Sequence, residues 1–390
     1  MTVKLQVEGL TKIFGHNPRA MLEKIEQGLT KETILKEFGH TVGINQVSFM
    51  VNEGEIFVIM GLSGSGKSTL IRCLNLLNRP TAGKIKVDGE DIVKYDGKKL
   101  KAYRQHKVAM VFQHFGLFTH RKVIDNVAYG LEIRRVSPTK RREMAQKAID
   151  IVGLNGWEEM YPNELSGGMQ QRVGLARALA TDPEILLMDE PFSALDPLIR
   201  REMQQELLDI QARLKKTIIF ISHDINEAFK LGDRVAIMKD GVIEQLGTPE
   251  EILAQPKNNY IKTFVQDIDR SKILQAKNIM VRPNALVSLK DGLKVAIKEM
   301  EQAGISSIFV LDQERRLQGL VTIDDALKAL KEHRQIKDIL QHTYSTTGPE
   351  TYMNELIQIA TETKYPIAVI NDEQKLLGII ARVTVLSNLV

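Results

Sequence analysis

The sequence predicts an α/β fold in two parts: a parallel-sheet unit carrying a helical insertion, then a smaller unit made of a duplicated βαββα pattern. Three observations carry this expectation. Short apolar, β-branched runs alternate with helical patterns as far as about Asp267, the signature of an α/β sheet. GLSGSGKST, from Gly61 to Thr69, sits between an apolar strand pattern and a helix pattern, where a phosphate-binding loop belongs. SIFVLDQERRLQGLVT, from Ser307, aligns without a gap on PIAVINDEQKLLGIIA, from Pro366.

Strands are expected at Ile56–Met60, Lys107–Phe112, Ile185–Asp189, Thr217–Ser222 and Arg234–Met238. The mostly helical stretch at about 117–179 is too long for one crossover and reads as an inserted helical subdomain. An earlier insertion, about 15–42, shows two short helical patterns, with Met21, Leu22 and Ile25 on one face and Ile34, Leu35 and Phe38 on the other. Gly28 supplies a helix stop and Thr30 an N-cap, so this insertion reads as a packing appendage. Residues 268–278 are polar and repeat nothing, which predicts a linker. The repeats follow at about 279–333 and 336–390, each led by an amphipathic helix, Asp291–Gln302 and Met353–Glu362. Two such units stacked face to face bury both sheets.

No apolar run approaches the ~20 residues that span a bilayer, and no basic-then-apolar leader opens the sequence. A membrane role therefore requires a partner, and the expected location is peripheral, on the cytoplasmic face. A net charge of +4 is too mild to imply nucleic-acid binding. The single cysteine, Cys73, excludes an internal disulfide and falls in the helix after the phosphate loop, as a small core residue would. One basic cluster (Arg134, Arg135, Lys140, Arg141, Arg142 and Lys147) reads as a solvated helix face, with contact to anionic lipid as the alternative.

Chemistry concentrates at three motifs. In the phosphate loop, Gly61, Gly64 and Gly66, with Ser63 and Ser65 between them, let backbone N–H groups wrap phosphates. Lys67 supplies a point charge to the β and γ phosphates, Ser68 a hydroxyl to Mg²⁺, and Thr69 a contact to the α phosphate. In ILLMDE, Ile185 to Glu190, a buried strand delivers Asp189 to its end to hold Mg²⁺, with Glu190 one residue beyond. In LSGGMQQR, Leu165 to Arg172, a serine hydroxyl and the bare backbone of Gly167 and Gly168 stand at a positive helix end, a second phosphate cradle.

Both cradles on one chain, with Asp189 and Glu190, resemble the ATP-binding subunits of ABC transporters. The resemblance implies a P-loop NTPase (RecA-like) core with an inserted helical subdomain, working on ATP with Mg²⁺. It makes Glu190 the group that orients the attacking water and His223 the switch that contacts the γ phosphate. Gln113 becomes the glutamine touching Mg²⁺ and water, and Asp196, in the stretch Ser193 to Asp196, the D-loop residue. An aromatic upstream of the phosphate loop stacks on adenine; Phe14 is the choice and Phe38 the rival. Because Ser166, Gly167 and Gly168 cannot fold back onto their own phosphate loop, the family pairs head to tail, which implies a homodimer with two equivalent sites.

The insertion at 15–42, EIFVIMGLSGSGKST and DEPFSALDPLIR, with a C-terminal pair resembling cystathionine-β-synthase (CBS) domains, are similar to the ATP-binding subunits of glycine betaine/proline betaine importers. That similarity implies an integral membrane permease that carries or recruits a solute-binding domain. Carnitine, choline or methionine-type importers are the alternatives. In nucleotide-binding CBS modules a Thr or Ser and an Asp three residues on hold phosphate and ribose. Thr322 and Asp325 match in the first repeat, whereas Ala381 and Thr384 stand in the second, with Arg382 between them. This favours an anionic, ribose-poor ligand, cyclic di-AMP being the candidate, with Tyr344 or Tyr365 to stack a base. The alternatives are a pure dimer clasp, or sensing of ionic strength through the basic cluster.

Overall fold

The computed structural model describes residues 2–113, 115–266 and 268–388. Two units emerge, Met1–Gln266 and Asp267–Val390.

The first unit begins with a sheet the sequence reading did not anticipate. β1 (Val3–Phe14) pairs antiparallel with β2 (Thr41–Asn52), and the sheet runs β2-β1-β4-β5 with β4 (Ala82–Val87) and β5 (Glu90–Asp91). Between β1 and β2 lie α1 (Leu22–Glu26) and α2 (Lys31–Phe38), on the expected insertion. Gly28 adopts a φ of 88°, and the Thr30 hydroxyl accepts from the Thr33 N–H at 3.2 Å, as the stop and cap signals require. Met21 and Ile34 are buried with Ile13 and Val42, and Leu22, Ile25 and Phe38 cover them. Leu35 departs from the expected face: it is 52% exposed, because Ile34 occupies the contact with the sheet.

The second sheet has the order β10-β9-β3-β8-β7-β6. Its members are β3 (Ile56–Gly61), β6 (Val108–Val111), β7 (Ile185–Asp189), β8 (Thr217–Ser222), β9 (Arg234–Lys239) and β10 (Val242–Gly247). All neighbours are parallel except β9 and β10, which form a hairpin. Every residue of β3, β7 and β8 is buried, which is why these strands read as continuous apolar runs. α3 (Lys67–Leu74) lies between the two sheets, with Leu70, Ile71, Cys73 and Leu74 in one core with Leu5, Ile44, Phe57 and Ile219. Phe49 of β2 and Phe57 of β3 stack at 4.9 Å and lock one sheet to the other.

After β6, α5 (Val123–Ile133), α6 (Pro138–Ile151) and α7 (Gly167–Leu179) form the helical portion; α4 (Gly97–His106) precedes it. α8 (Pro197–Leu214) and α9 (Ile225–Leu231) complete the crossovers after β7 and β8. Among the described residues no helix is long and apolar enough to cross a membrane.

The second unit holds two three-stranded sheets of the same build. In each a short edge strand (Val287–Ser288, Thr346–Thr347) runs parallel to the first strand of a hairpin (Ser307–Leu311 with Leu317–Thr322; Ile367–Ile370 with Leu376–Ile380). The leading helices are Leu293–Ala303 and Met353–Glu362, and Ile323–Lys331 and Arg382–Ser387 close the repeats. Phe309, Leu311 and Leu320 of the first sheet share a core with Ala368 and Leu376 of the second. Residues 268–278 do not behave as a linker. Leu274 and Ala276 are buried, the Ala276 N–H donates to the Thr351 carbonyl at 2.8 Å, and the Met353 N–H donates to the Leu274 carbonyl at 2.8 Å. These backbone bonds make the segment part of the second unit, a pairing that composition does not encode.

Candidate nucleotide site

A cleft of about 580 Å³ opens in the first unit, lined by Phe14, Lys31, Leu62, Ser63, Gly64, Gly66, Lys67, Ser68, Thr69, Glu190 and His223, with Thr41 to Gly43. It lies beyond the carboxyl ends of β3, β7 and β8, where an open α/β sheet binds ligands. β3 ends at Gly61 and the loop turns into α3, so the loop N–H groups and the positive helix end converge. The loop is held from behind. The Gly241 N–H donates to the Ser65 carbonyl at 3.0 Å, and the Asn45 N–H donates to the Gly241 carbonyl at 2.8 Å. Gly66 has φ 103° with the Gly43 carbonyl 2.2 Å from where a Cβ would stand, so no other residue fits there.

Lys67 is buried, and its ammonium donates to the carbonyls of Gly61 (2.8 Å) and Leu62 (3.0 Å). Burial lowers its pKa, against the pull of the Glu190 and Asp189 charges. The Ser68 hydroxyl donates to Asp189 at 3.2 Å, and the Arg72 guanidinium stands 3.6 Å from the other carboxylate oxygen. Burial raises the Asp189 pKa, and the Ser68 hydrogen bond and Arg72 oppose it. A hydroxyl beside a carboxylate is the hard oxygen set that Mg²⁺ takes. Among the described residues no three His, Cys, Asp or Glu side chains gather as a metal group. The Ser65 hydroxyl is buried in the loop without a protein partner.

Glu190 adopts φ 47°, and its carboxylate lies 3.1 Å from His223 Nδ1. The left-handed turn ends β7 and swings Glu190 into the cleft instead of along the strand. His223 follows β8 directly, and the turn carrying it is anchored from below. The Ser222 hydroxyl bonds the buried Glu227 carboxylate, to which Gln204 donates at 3.0 Å. Gln113 lies two residues past β6, half-buried, and is not among the side chains lining the cleft. Phe14 lines it, whereas Phe38 packs into the insertion core with Lys24 over its ring at 4.4 Å.

The second cradle stays away from its own phosphate loop. The exposed Ser166 caps α7, its hydroxyl accepting from the Met169 N–H at 3.4 Å, and Gly167 is exposed beside it. Gly168 is buried: a Cβ there meets Ile199 at 2.6 Å, so α8 packs directly on the start of α7. Asp196, exposed, caps α8 through the N–H groups of Leu198 and Ile199, both at 3.1 Å. None of these four lines the cleft.

Of the basic cluster, Arg135, Lys140, Arg142 and Lys147 are exposed, with Arg142 pairing with Glu159 at 2.8 Å, whereas two Arg134 guanidinium nitrogens are enclosed without a partner.

In the second unit Thr322 and Asp325 come together, the Thr322 hydroxyl donating at 2.7 Å. Gln341, which sequence reasoning missed, donates to the same Asp325 oxygen at 2.5 Å and accepts from the Tyr365 hydroxyl at 3.1 Å. Tyr344 instead meets Phe309 edge to face at 5.8 Å, and Arg382 is exposed, opening the last helix. Lys31 and Gly43, which line the cleft, and Gly241, which backs the phosphate loop, were also missed. Their proximity to the phosphate loop is tertiary, and no local pattern marks it.

Residues 44–193 match the ABC transporter family, and residues 276–332 match the CBS domain. The chain is 49% identical over 380 residues to the glycine betaine transport ATP-binding protein OpuAA of Bacillus subtilis, covering 97% of this chain and 91% of that protein. It is 51% identical over 387 residues to the glycine betaine/carnitine transport ATP-binding protein GbuA of Listeria monocytogenes, covering 99% and 97%. Among solved structures it is similar to the ATP-binding cassette MJ0796, in a dimeric post-hydrolysis state bound to ADP and Pi. There the TM-score is 0.53 at 30% identity, over 63% of this chain and 98% of that one. The cleft, the paired acids and the detached second cradle thus have a common explanation: the chain belongs to the ATP-binding subunits of ABC transporters, in the group that includes these glycine betaine transport proteins.

Proposed function

We propose that the chain hydrolyses ATP in the cleft over Gly61–Thr69 to energise import of glycine betaine, or a related quaternary amine such as proline betaine, through an integral membrane permease. The observation that carries the chemistry is the juxtaposition of Lys67, Ser68, Asp189, Glu190 and His223 around one phosphate loop. The loop N–H groups and Lys67 bind the phosphates, and Phe14 offers its ring to adenine. Ser68 and Asp189 would hold Mg²⁺, which supplies charge neutralisation to the phosphates. Glu190 orients the attacking water, with His223 holding the carboxylate toward the cleft. Catalysis is then positioning and charge stabilisation of an in-line attack.

The exposed Ser166 and Gly167 support a head-to-tail homodimer in which each α7 start closes the other chain's ATP. A cleft of about 320 Å³ between β6, α4, α5 and α7, lined by Leu77, Met110, Phe112 and Ile133, supports docking of the permease there, on the membrane's cytoplasmic face. The test is uptake of labelled betaine, carnitine and choline into vesicles holding this chain with its permease. Betaine uptake that stops in Glu190→Gln is the expected result; uptake of none of the three rejects the importer reading.

For the second unit, Arg282, Arg315 and Lys375 line a cleft of about 460 Å³, which supports an anionic ligand with cyclic di-AMP as the candidate. This cleft is favoured over Thr322 and Asp325, whose polar groups are already engaged, Thr322 with Asp325 and Asp325 with Gln341. Cyclic di-AMP should bind the wild type and lose affinity in Arg282→Ala/Arg315→Ala. No binding to the wild type leaves the module as a dimerisation clasp.

A further inference from the structure

The helical insertion reaches the phosphate loop. Lys31, the first residue of α2, donates from Nζ to the Gly64 carbonyl at 3.2 Å and lines the same cleft as Lys67, Ser68 and His223. The element holding it is well anchored. Thr30 caps the helix, and Ile34, one turn on and on the same side, is fully buried against Ile13 and Val42. Lys31 is therefore presented by a fixed helix start and not by a swinging loop.

The two lysines of the cleft differ in kind. Lys67 is buried beneath the loop and holds two carbonyls with two of its three N–H donors. Lys31 stands half-buried at the rim, with one carbonyl partner and no ion pair among the described residues. The carbonyl partner carries no net charge; a phosphate oxygen brings opposite charge and adds Coulombic attraction to the ammonium's hydrogen bond. We propose that Lys31 is a nucleotide-binding residue: on ATP binding its ammonium exchanges the Gly64 carbonyl for a phosphate oxygen and adds a second cation to the phosphate chain. The insertion is then a working part of the ATP site, not only a packing appendage. This inference rests on the assignment of the cleft to ATP.

The test is titration of a fluorescent ATP analogue against the full chain, with hydrolysis measured in parallel. Lys31→Ala and Lys31→Gln should each weaken binding about 5- to 10-fold and raise KM in step, with kcat within about twofold. Lys31→Arg should recover most of the loss. The deficit should shrink between low and high salt, because a rim charge is screened. Lys36→Ala, on the exposed side of the same helix, should bind as the wild type does. Wild-type affinity in Lys31→Gln overturns the proposal, as does a loss that Arg does not restore or that salt leaves unchanged. Lys67→Ala separates the two levels of the argument. If it abolishes binding while Lys31→Gln does not weaken it, only the role of Lys31 fails; if it binds normally, the cleft assignment itself fails.

Discussion

At the scale of single residues, the site is built by making each side chain serve one geometric demand. Glu190 takes a left-handed φ of 47° so that its carboxylate meets His223 at 3.1 Å. Non-glycine residues hold such a conformation only where the surroundings fix it, and here the Ser193 hydroxyl donates to the Glu190 carbonyl at 2.9 Å. His223 is fixed from the other side through Ser222 and Glu227. Burial raises the Glu227 pKa above the usual carboxylate range, and hydrogen bonds from Ser222 and Gln204 oppose the shift. An acid with a raised folded-state pKa binds its proton more tightly folded than unfolded. Its contribution is complete at low pH and is lost as pH rises through the raised value. Glu227→Gln removes that loss, so the excess of its melting temperature over the wild type should be smallest at pH 4, below the ordinary glutamate value, and should grow as pH rises to 8. Thermal melts across pH 4–8 measure this, and parallel curves would exclude Glu227 as the cause. No feature of the string SHDINE in the sequence marks Glu227 as buried. Its four-residue spacing from His223 is ordinary for a helix surface, and only the packing of α8 on α9 encloses it.

Among elements, legibility followed burial. β3, β7 and β8 are covered on both faces, so their sequences are unbroken apolar runs and their ends were placed within a residue or so. β1 and β2 alternate buried and open positions, and β1 carries several register shifts against β2, which blurs the period of two. The antiparallel sheet went unread for that reason. The α1–α2 insertion was legible as helices from Gly28 and Thr30, but its approach to Gly64 was not, since Lys31 and Gly64 are 33 residues apart. The start of α7 shows the same limit. Its glycines suggest open backbone, yet Gly168 is packed on Ile199 of α8. Gly168→Val should therefore separate the two helix starts and cut ATP hydrolysis at least tenfold with ATP binding retained, and Ile199→Ala in that background should restore part of it. Steady-state hydrolysis of the single and double variants checks this; no recovery would mean that Gly168 acts through its backbone alone.

For the whole molecule, each unit has its own core, and the repeat in the second unit was legible because the two copies align without a gap. Its first turn was not: Leu274 and Ala276 are bound to the backbone of Thr351 and Met353, far along the chain. The proposed ATP site likewise needs a second copy. Ser166 and Gly167 are exposed and do not line the cleft of their own chain, which Lys67, Ser68, Thr69, Glu190 and His223 line. The measurement that decides whether two copies share the nucleotide is sedimentation of Glu190→Gln with and without ATP. The account predicts a dimer with ATP, a monomer with ADP, and a monomer with bound ATP when Ser166→Arg is added. A Glu190→Gln protein that binds ATP and remains monomeric at every protein concentration would contradict it.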